Sequence, residues 1–190
     1  MERDVLLEGK PWSYPGFKEK MEFYKGKGIS IITVKDAVEF PEASTHAHNS
    51  YEFVFPLTTL ESARVGNKRM ILEQNRLIPI NPEQEHGPAG RSSSCSILSV
   101  EIEKETLTEL AHAIYGKSEV RFKSDNYVYD LKLRNYINGF IEESRNKQSG
   151  SEFVLQSLAV QIIVYMFRNI NSNFSPGLSQ RNYRANGNIN

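Results

Sequence analysis

The stretch STHAHNSYEFVFPL, residues 44–57, decides how this chain is read. It sets two histidines and a glutamate within seven positions and runs directly into an aromatic, β-branched string. His46, His48 and Glu52 share one parity, so an extended backbone over 46–52 turns all three side chains to the same face of a strand. Imidazole and carboxylate groups converging at that spacing suit a divalent cation such as Zn, Ni, Fe or Mn. The same residues also suit the polar lining of a ligand pocket, or hydrogen-bonded positions in an ordinary strand.

Further along, RLIPINPEQEHGP (76–88) ends a strand, turns through Asn81-Pro82 and presents His86, a fourth candidate ligand. Of the chain's four histidines, three fall in these two stretches. His112 sits apart in a helical segment and reads as a surface or packing residue. Around the two stretches run short β-like segments: ISIITV, SARV, RMILE, RLIPI and CSILSVEI. Gly66-Asn67 between two of them predicts a tight hairpin. Several short strands at close spacing imply a sandwich or small barrel. Cys95, inside one of the runs, reads as a small core residue.

The hydrophobic period changes near residue 103. Leu107, Leu110, Ala111 and Ile114 make one apolar helical stripe ending near Gly116. A second helix is expected over 127–146, with Leu133, Ile137, Phe140 and Ile141 on one face, widened by Tyr129 and Tyr136. The third opens with SGSE, where Ser149 and Glu152 have capping-box spacing, and runs to about Ile170. It is apolar almost all round, so it needs cover on more than one side. That cover is either a homodimer partner, with Leu155, Leu158, Ile162, Tyr165 and Met166 at the interface, or complete burial within the chain. From Asn171 the composition turns polar and reads as a linker.

Composition narrows the function classes. The 190 residues carry 23 Lys and Arg against 23 Asp and Glu, so the positive excess expected of a nucleic-acid-binding module is missing. A single cysteine rules out an intrachain disulfide framework and fits a reducing compartment. The N-terminus lacks the apolar core of a secretory signal, and a cytoplasmic protein is expected. FVLQSLAVQIIVYMF (153–167) is interrupted by polar residues and falls short of the roughly 20 apolar residues of a bilayer span. No phosphate-binding glycine loop, zinc-cysteine pattern or serine nucleophile elbow occurs.

The two histidine stretches together carry a resemblance. HAHNSYE resembles the first cupin motif, and IPINPEQEH is similar to the second, in which a proline turn delivers a histidine to the same site. H-x-H-x-x-Y-E followed by I-N-P-x-x-x-H, with helices behind, resembles in particular the N-terminal sensor domain of AraC-type bacterial transcription regulators. The sequence departs from metal-dependent cupin enzymes at Thr59, where a glycine is usual, and around Gln74 and Asn75, where a second glycine is missing. The resemblance implies a mainly β fold, a cupin-like double-stranded β-helix (jelly-roll) barrel followed by about three C-terminal α-helices. It divides the chain into a barrel with an N-terminal arm (1–103), a helical dimerisation region (104–170) and a linker (171–190) towards a helix-turn-helix module absent from this sequence.

The function that this resemblance implies is allosteric sensing without chemistry, so no enzyme is expected. A small-molecule effector would enter the barrel, with His46, His48, Tyr51, Glu52, Arg64, His86 and Trp12 as candidate contacts and Tyr14 beside Trp12 in the arm. No cofactor is required on this reading. If a divalent metal binds, the resemblance makes His46, His48, Glu52 and His86 its ligands. The expected partners are the effector and a second copy of the chain, with DNA reached only through the missing module and no membrane. The alternatives are a stand-alone metal-dependent cupin enzyme, an isomerase or dioxygenase, and a DNA-free regulator acting by heterodimerisation.

Overall fold

The structure, a computed structural model, describes residues 18–34, 45–89 and 95–174. Trp12, Tyr14 and the expected arm lie outside the described residues, as does the expected linker beyond Phe174.

The described chain forms strands β1 (Met21–Gly26), β2 (Ile29–Val34), β3 (Ser50–Pro56), β4 (Leu60–Val65), β5 (Lys68–Leu72), β6 (Arg76–Ile80), β7 (His86–Pro88), β8 (Ile97–Glu103) and β9 (Tyr127–Val128). Its helices are α1 (Lys104–Tyr115), α2 (Leu131–Asn146) and α3 (Ser151–Asn169). One antiparallel sheet has the order β1-β2-β8-β3-β6-β9, and a second has β5-β4-β7. This is the expected jelly-roll barrel with C-terminal helices.

The tight hairpin forms where expected, with Val65 paired to Lys68 across Gly66-Asn67. Gly66 takes φ 58°, and a type II′ turn favours glycine at this first loop position, which explains why Gly precedes Asn here where Asn-Gly is the commoner hairpin pair. A second hairpin, unforeseen with β1 itself, joins β1 to β2 through Lys27-Gly28. Gly28 has φ 72°, and a Cβ there would lie 2.0 Å from Thr106 Oγ1 of α1, so only glycine lets the helix approach this turn.

The larger sheet is buried on both faces, and side-chain parity sorts the two cores. Tyr51, Phe53 and Phe55 of β3, with Leu98, Val100 and Ile102 of β8 and Ile29 and Ile31 of β2, pack against the helices. There they meet Leu107 and Ala111 of α1, Leu133, Ile137 and Phe140 of α2, and Ile162, Ile163, Met166 and Phe167 of α3. Val54, Ile78, Ile80, Ile32 and Val34 point the other way, into the barrel, against Ala63, Val65, Leu60 and Leu72 of the smaller sheet. At about 1.5–3 kcal/mol per fully buried Leu, Ile or Phe, both cores are strong. The barrel and helical regions therefore share a continuous core on one side of a single sheet.

The helices depart from expectation in three places. Ile114 is 45% exposed, so the stripe of α1 narrows to Leu107 and Ala111, with Leu110 packed partly against them. α2 starts at Leu131, because Tyr127-Val128 pair with β6 and Asp130 caps the helix by accepting from Leu133 N at 3.0 Å. α3 begins after Gly150 with no side-chain cap, and Ser151 Oγ donates to Glu143 Oε1 of α2 at 2.5 Å instead. The Ser149–Glu152 capping box does not form.

The chain's own core takes up much of the α3 face expected at an interface. Ile162, Tyr165 and Met166 are buried in that core, while Leu155 and Leu158 pack against it and stay half-buried. The apolar side chains that α3 exposes are Phe153, Val154 and Val160. Residues 171–173, expected as the start of the linker, pair with residues 119–123, and the Phe174 ring sits 5.0 Å from Tyr115. Among the described residues, no helix is long and apolar enough to cross a membrane.

Candidate metal centre

Regular strand begins only at Ser50, yet His46 and His48 still reach one site because the second histidine stretch pins the first. His46 N donates to His86 O at 3.0 Å and His86 N to His46 O at 2.9 Å, an antiparallel bridge joining the two motifs. The turn between β6 and β7 is fastened as well. Glu83, at φ 61°, donates its N–H to His48 O at 2.8 Å.

The side chains converge. His48 Nε2 and His86 Nε2 lie 3.0 Å and 2.9 Å from the same oxygen, Glu52 Oε2. The ring of His46 is 4.2 Å from that of His86, centroid to centroid. The far nitrogens are held as well: His86 Nδ1 donates to Gln84 O at 2.8 Å, and His48 Nδ1 lies 2.8 Å from Ser50 Oγ and 3.1 Å from Ser50 O. Both rings thus turn Nε2 inward towards Glu52, the nitrogen that would face a metal after giving up its proton. The other Glu52 oxygen, Oε1, accepts from Ser99 Oγ at 2.6 Å.

Burial alone would push the Glu52 carboxyl up, but hydrogen bonds from His48 and His86, together with the charges of those rings, outweigh it and hold the carboxyl well below the usual range. The group is a carboxylate, the form that binds a metal. One donor atom from each of His46, His48, Glu52 and His86 lies within 4.8 Å of all the others. Ions with bonds of about 2.0–2.2 Å hold neighbouring donors roughly 3 Å apart and opposite donors a little over 4 Å apart. The four donors therefore lie close enough to close around a divalent ion by side-chain adjustment, and their N/O set suits Zn, Ni, Fe or Mn.

The other expected contacts lie outside the four-residue cluster. Tyr51 faces the helices: its hydroxyl donates to Val120 O at 2.7 Å, and burial pushes its pKa up to about 12. Arg64 is exposed between inward-facing Ala63 and Val65 and also borders the small cavity beside the site; its Nε donates to Gly66 O at 2.9 Å, and its guanidinium lies 3.6 Å from Glu85. His112 is exposed at the end of α1, as expected. Three contributors escaped the sequence reading: Ser99, Gln84 and Glu101. Glu101 is buried and pairs in register with Glu52. The available signal was the alternation of Ser99 and Glu101 with Leu98, Val100 and Ile102, which places the polar pair on the barrel side.

Beside the site lies a cavity of about 60 Å³, bounded by His46, Glu52 and His86 at one end and by side chains such as Val54, Ala63 and Ile78 elsewhere. It holds a few waters or a very small ligand, well below the roughly 300–1,000 Å³ of ordinary small-molecule sites. A polar cleft of about 900 Å³ opens between barrel and helices, edged by the 81–84 turn, Lys68, Lys104 and Arg121.

No family model matches the chain, and no curated protein does. Among solved structures, the AraC-like transcriptional activator CuxR is 12% identical, with 76% of this chain and 55% of CuxR covered at a TM-score of 0.48. A cupin-2 domain protein from Shewanella frigidimarina is 20% identical, covering 44% of this chain and 83% of its own at 0.35. FeII HppE in complex with substrate is 14% identical, covering 43% and 52% respectively, also at 0.35.

Proposed function

We propose that this chain is the sensing portion of an AraC-type transcription regulator whose barrel holds a divalent metal. The observation that carries the metal is the convergence of His46, His48, Glu52 and His86, with donor atoms within 4.8 Å of one another. The regulator reading is supported by the spacing of the two histidine motifs and by helices packed on the outer face of the strands that build the site. A bound ion would supply positive charge and open coordination positions for a small ligand. The chain's own residues do the rest: Gln84 O and Ser50 hold the rings, Ser99 holds the carboxylate, and the barrel wall limits what enters. A small-molecule effector acts by differential affinity for two arrangements of barrel and helices. The reading includes a cytoplasmic homodimer through Phe153, Val154 and Val160 of α3, with DNA contacted only by a helix-turn-helix module that these residues do not include.

Metal analysis of untagged protein tests the first element. About one equivalent of metal is expected in the wild type and far less in His46→Ala; protein free of metal in both would remove the metal from the reading. Sedimentation at micromolar concentration tests the second, with a wild-type dimer and a Phe153→Glu monomer expected. A wild-type monomer would rule the dimer out. A metal-dependent isomerase or dioxygenase is the competing function, favoured by the cavity that abuts three of the four ligands. Under it, metal removal abolishes a turnover; under the regulator reading there is none to lose.

A further inference from the structure

We propose that the turn Asn81–Glu85 is a positioning device that ties the metal site to the chain leaving α3, so that metal occupancy tightens residues 171–173. The inference rests on the reading of the barrel as metal-holding, and three sets of hydrogen bonds carry it.

The first set joins the turn to the site. Gln84 O accepts from His86 Nδ1 at 2.8 Å, and Glu83 N donates to His48 O at 2.8 Å. The turn thus grips two of the four ligands from behind. Glu83 holds φ 61°, a region that costs a residue with a side chain roughly 1 kcal/mol or more and persists only where its surroundings enforce it.

The second set joins the turn to a strap of irregular chain between α1 and α2. Asn81 Oδ1 accepts from Phe122 N at 2.8 Å while Asn81 Nδ2 donates to Phe122 O at 2.9 Å, a two-point clasp in which one side chain imitates a neighbouring strand. Ser124 Oγ donates to Gln84 Oε1 at 3.2 Å, the oxygen that also accepts from Asn81 N at 3.0 Å.

The third set joins the strap to the residues after α3. Lys123 N donates to Asn171 O at 2.8 Å, and Asn173 N to Arg121 O at 3.0 Å. The Asn173 side chain closes both ends, accepting from Arg121 N at 2.8 Å and donating to Glu119 O at 3.0 Å. Between the sets, the Phe122 ring lies 6.2 Å from Phe167 of α3 at 16° and 5.3 Å from Phe53 of β3. The strap lies outside any helix, so these bonds and ring contacts fix its place. A ring reorientation at His86 moves Gln84 O, and with it Asn81, Phe122 and the partner residues 171–173. The two states are a fastened and a released strap, and an ion that needs His86 and His48 held in place favours the fastened one.

Amide exchange by NMR on the full chain, with and without Zn²⁺, tests this. In wild type, the amides of Phe122, Lys123 and Asn173 should exchange about fivefold more slowly once Zn²⁺ is bound. In Asn81→Ala the metal should still bind, but this metal-dependent difference should vanish. A merely structural clasp would raise exchange equally with and without metal and leave the difference intact. Coupling is reciprocal, so Asn173→Ala, an exposed substitution touching no ligand, should weaken Zn²⁺ binding by a similar factor even if Asn81→Ala fails to fold. Metal uptake with unchanged exchange in the wild type, a difference that survives in Asn81→Ala, or unaltered affinity in Asn173→Ala each overturns the coupling while leaving the metal site standing. Absence of Zn²⁺ uptake by the wild type overturns both.

Discussion

Glu52 is 2% exposed, with both oxygens engaged by His48, His86 and Ser99. Its lowered pKa makes a signed prediction in metal-free protein. The stabilisation exists where the unfolded carboxyl is already ionised, above about pH 4.3, and fades as pH falls through the lower folded value. Urea unfolding of wild type and Glu52→Gln should therefore show a wild-type advantage at pH 7 that shrinks below pH 4. A difference constant over that range would mean that shape, and not charge, is what the glutamine lacks. The four ligands were legible because chemistry-bearing residues crowd into two short stretches. Composition does not say which face of a strand is the barrel interior, so the places of Tyr51 against the helices and of Arg64 at the cavity's edge were not legible. Ser99 was invisible for a related reason: its partner lies 47 positions away, on a neighbouring strand.

Element boundaries follow local capping where a cap is present. Asp130 accepts from Leu133 N, and this bond starts α2 four residues later than apolar periodicity suggests. Periodicity could not see that Tyr127 and Val128 complete the sheet edge beside Arg76 and Leu77. The start of α3 shows the converse, because Ser149 has the spacing of a cap but the helix enters through Gly150 at φ 89°. Asp130→Ala should accordingly cost about 1 kcal/mol or somewhat more in chemical denaturation, whereas Ser149→Ala should stay within about 0.5 kcal/mol of wild type. The reverse ranking would mean that α3 is capped as its sequence suggests. Strand existence was well legible where β-branched runs are long, as in β2, β3 and β8. β7 was hidden because a three-residue strand His-Gly-Pro has no β character of its own and exists by pairing with β4 and His46.

At the scale of the whole molecule, ligands drawn from two distant stretches make metal binding part of folding. A ligand that binds only the folded chain stabilises it by about 2.7 kcal/mol at a hundredfold excess over Kd, or roughly 5 to 10 °C in melting temperature for a domain of this size. Wild-type Tm should climb with metal concentration by that order, and His86→Ala should show no climb; equal shifts would place the metal elsewhere. The class of architecture was legible from the single change of hydrophobic period near residue 103. The division of labour on α3 was not, because a helix apolar all round carries no mark of which side its own chain covers. The parity of β3 also has a meaning for anyone wishing to redesign the protein. Its even-numbered residues, Glu52 and Val54, furnish the chamber, and its odd-numbered ones, Tyr51, Phe53 and Phe55, seat the helices. Two mutant libraries on alternate positions of one seven-residue strand could therefore retool what is recognised and how it is transmitted almost independently, whereas inserting a single residue there would exchange the two roles at once.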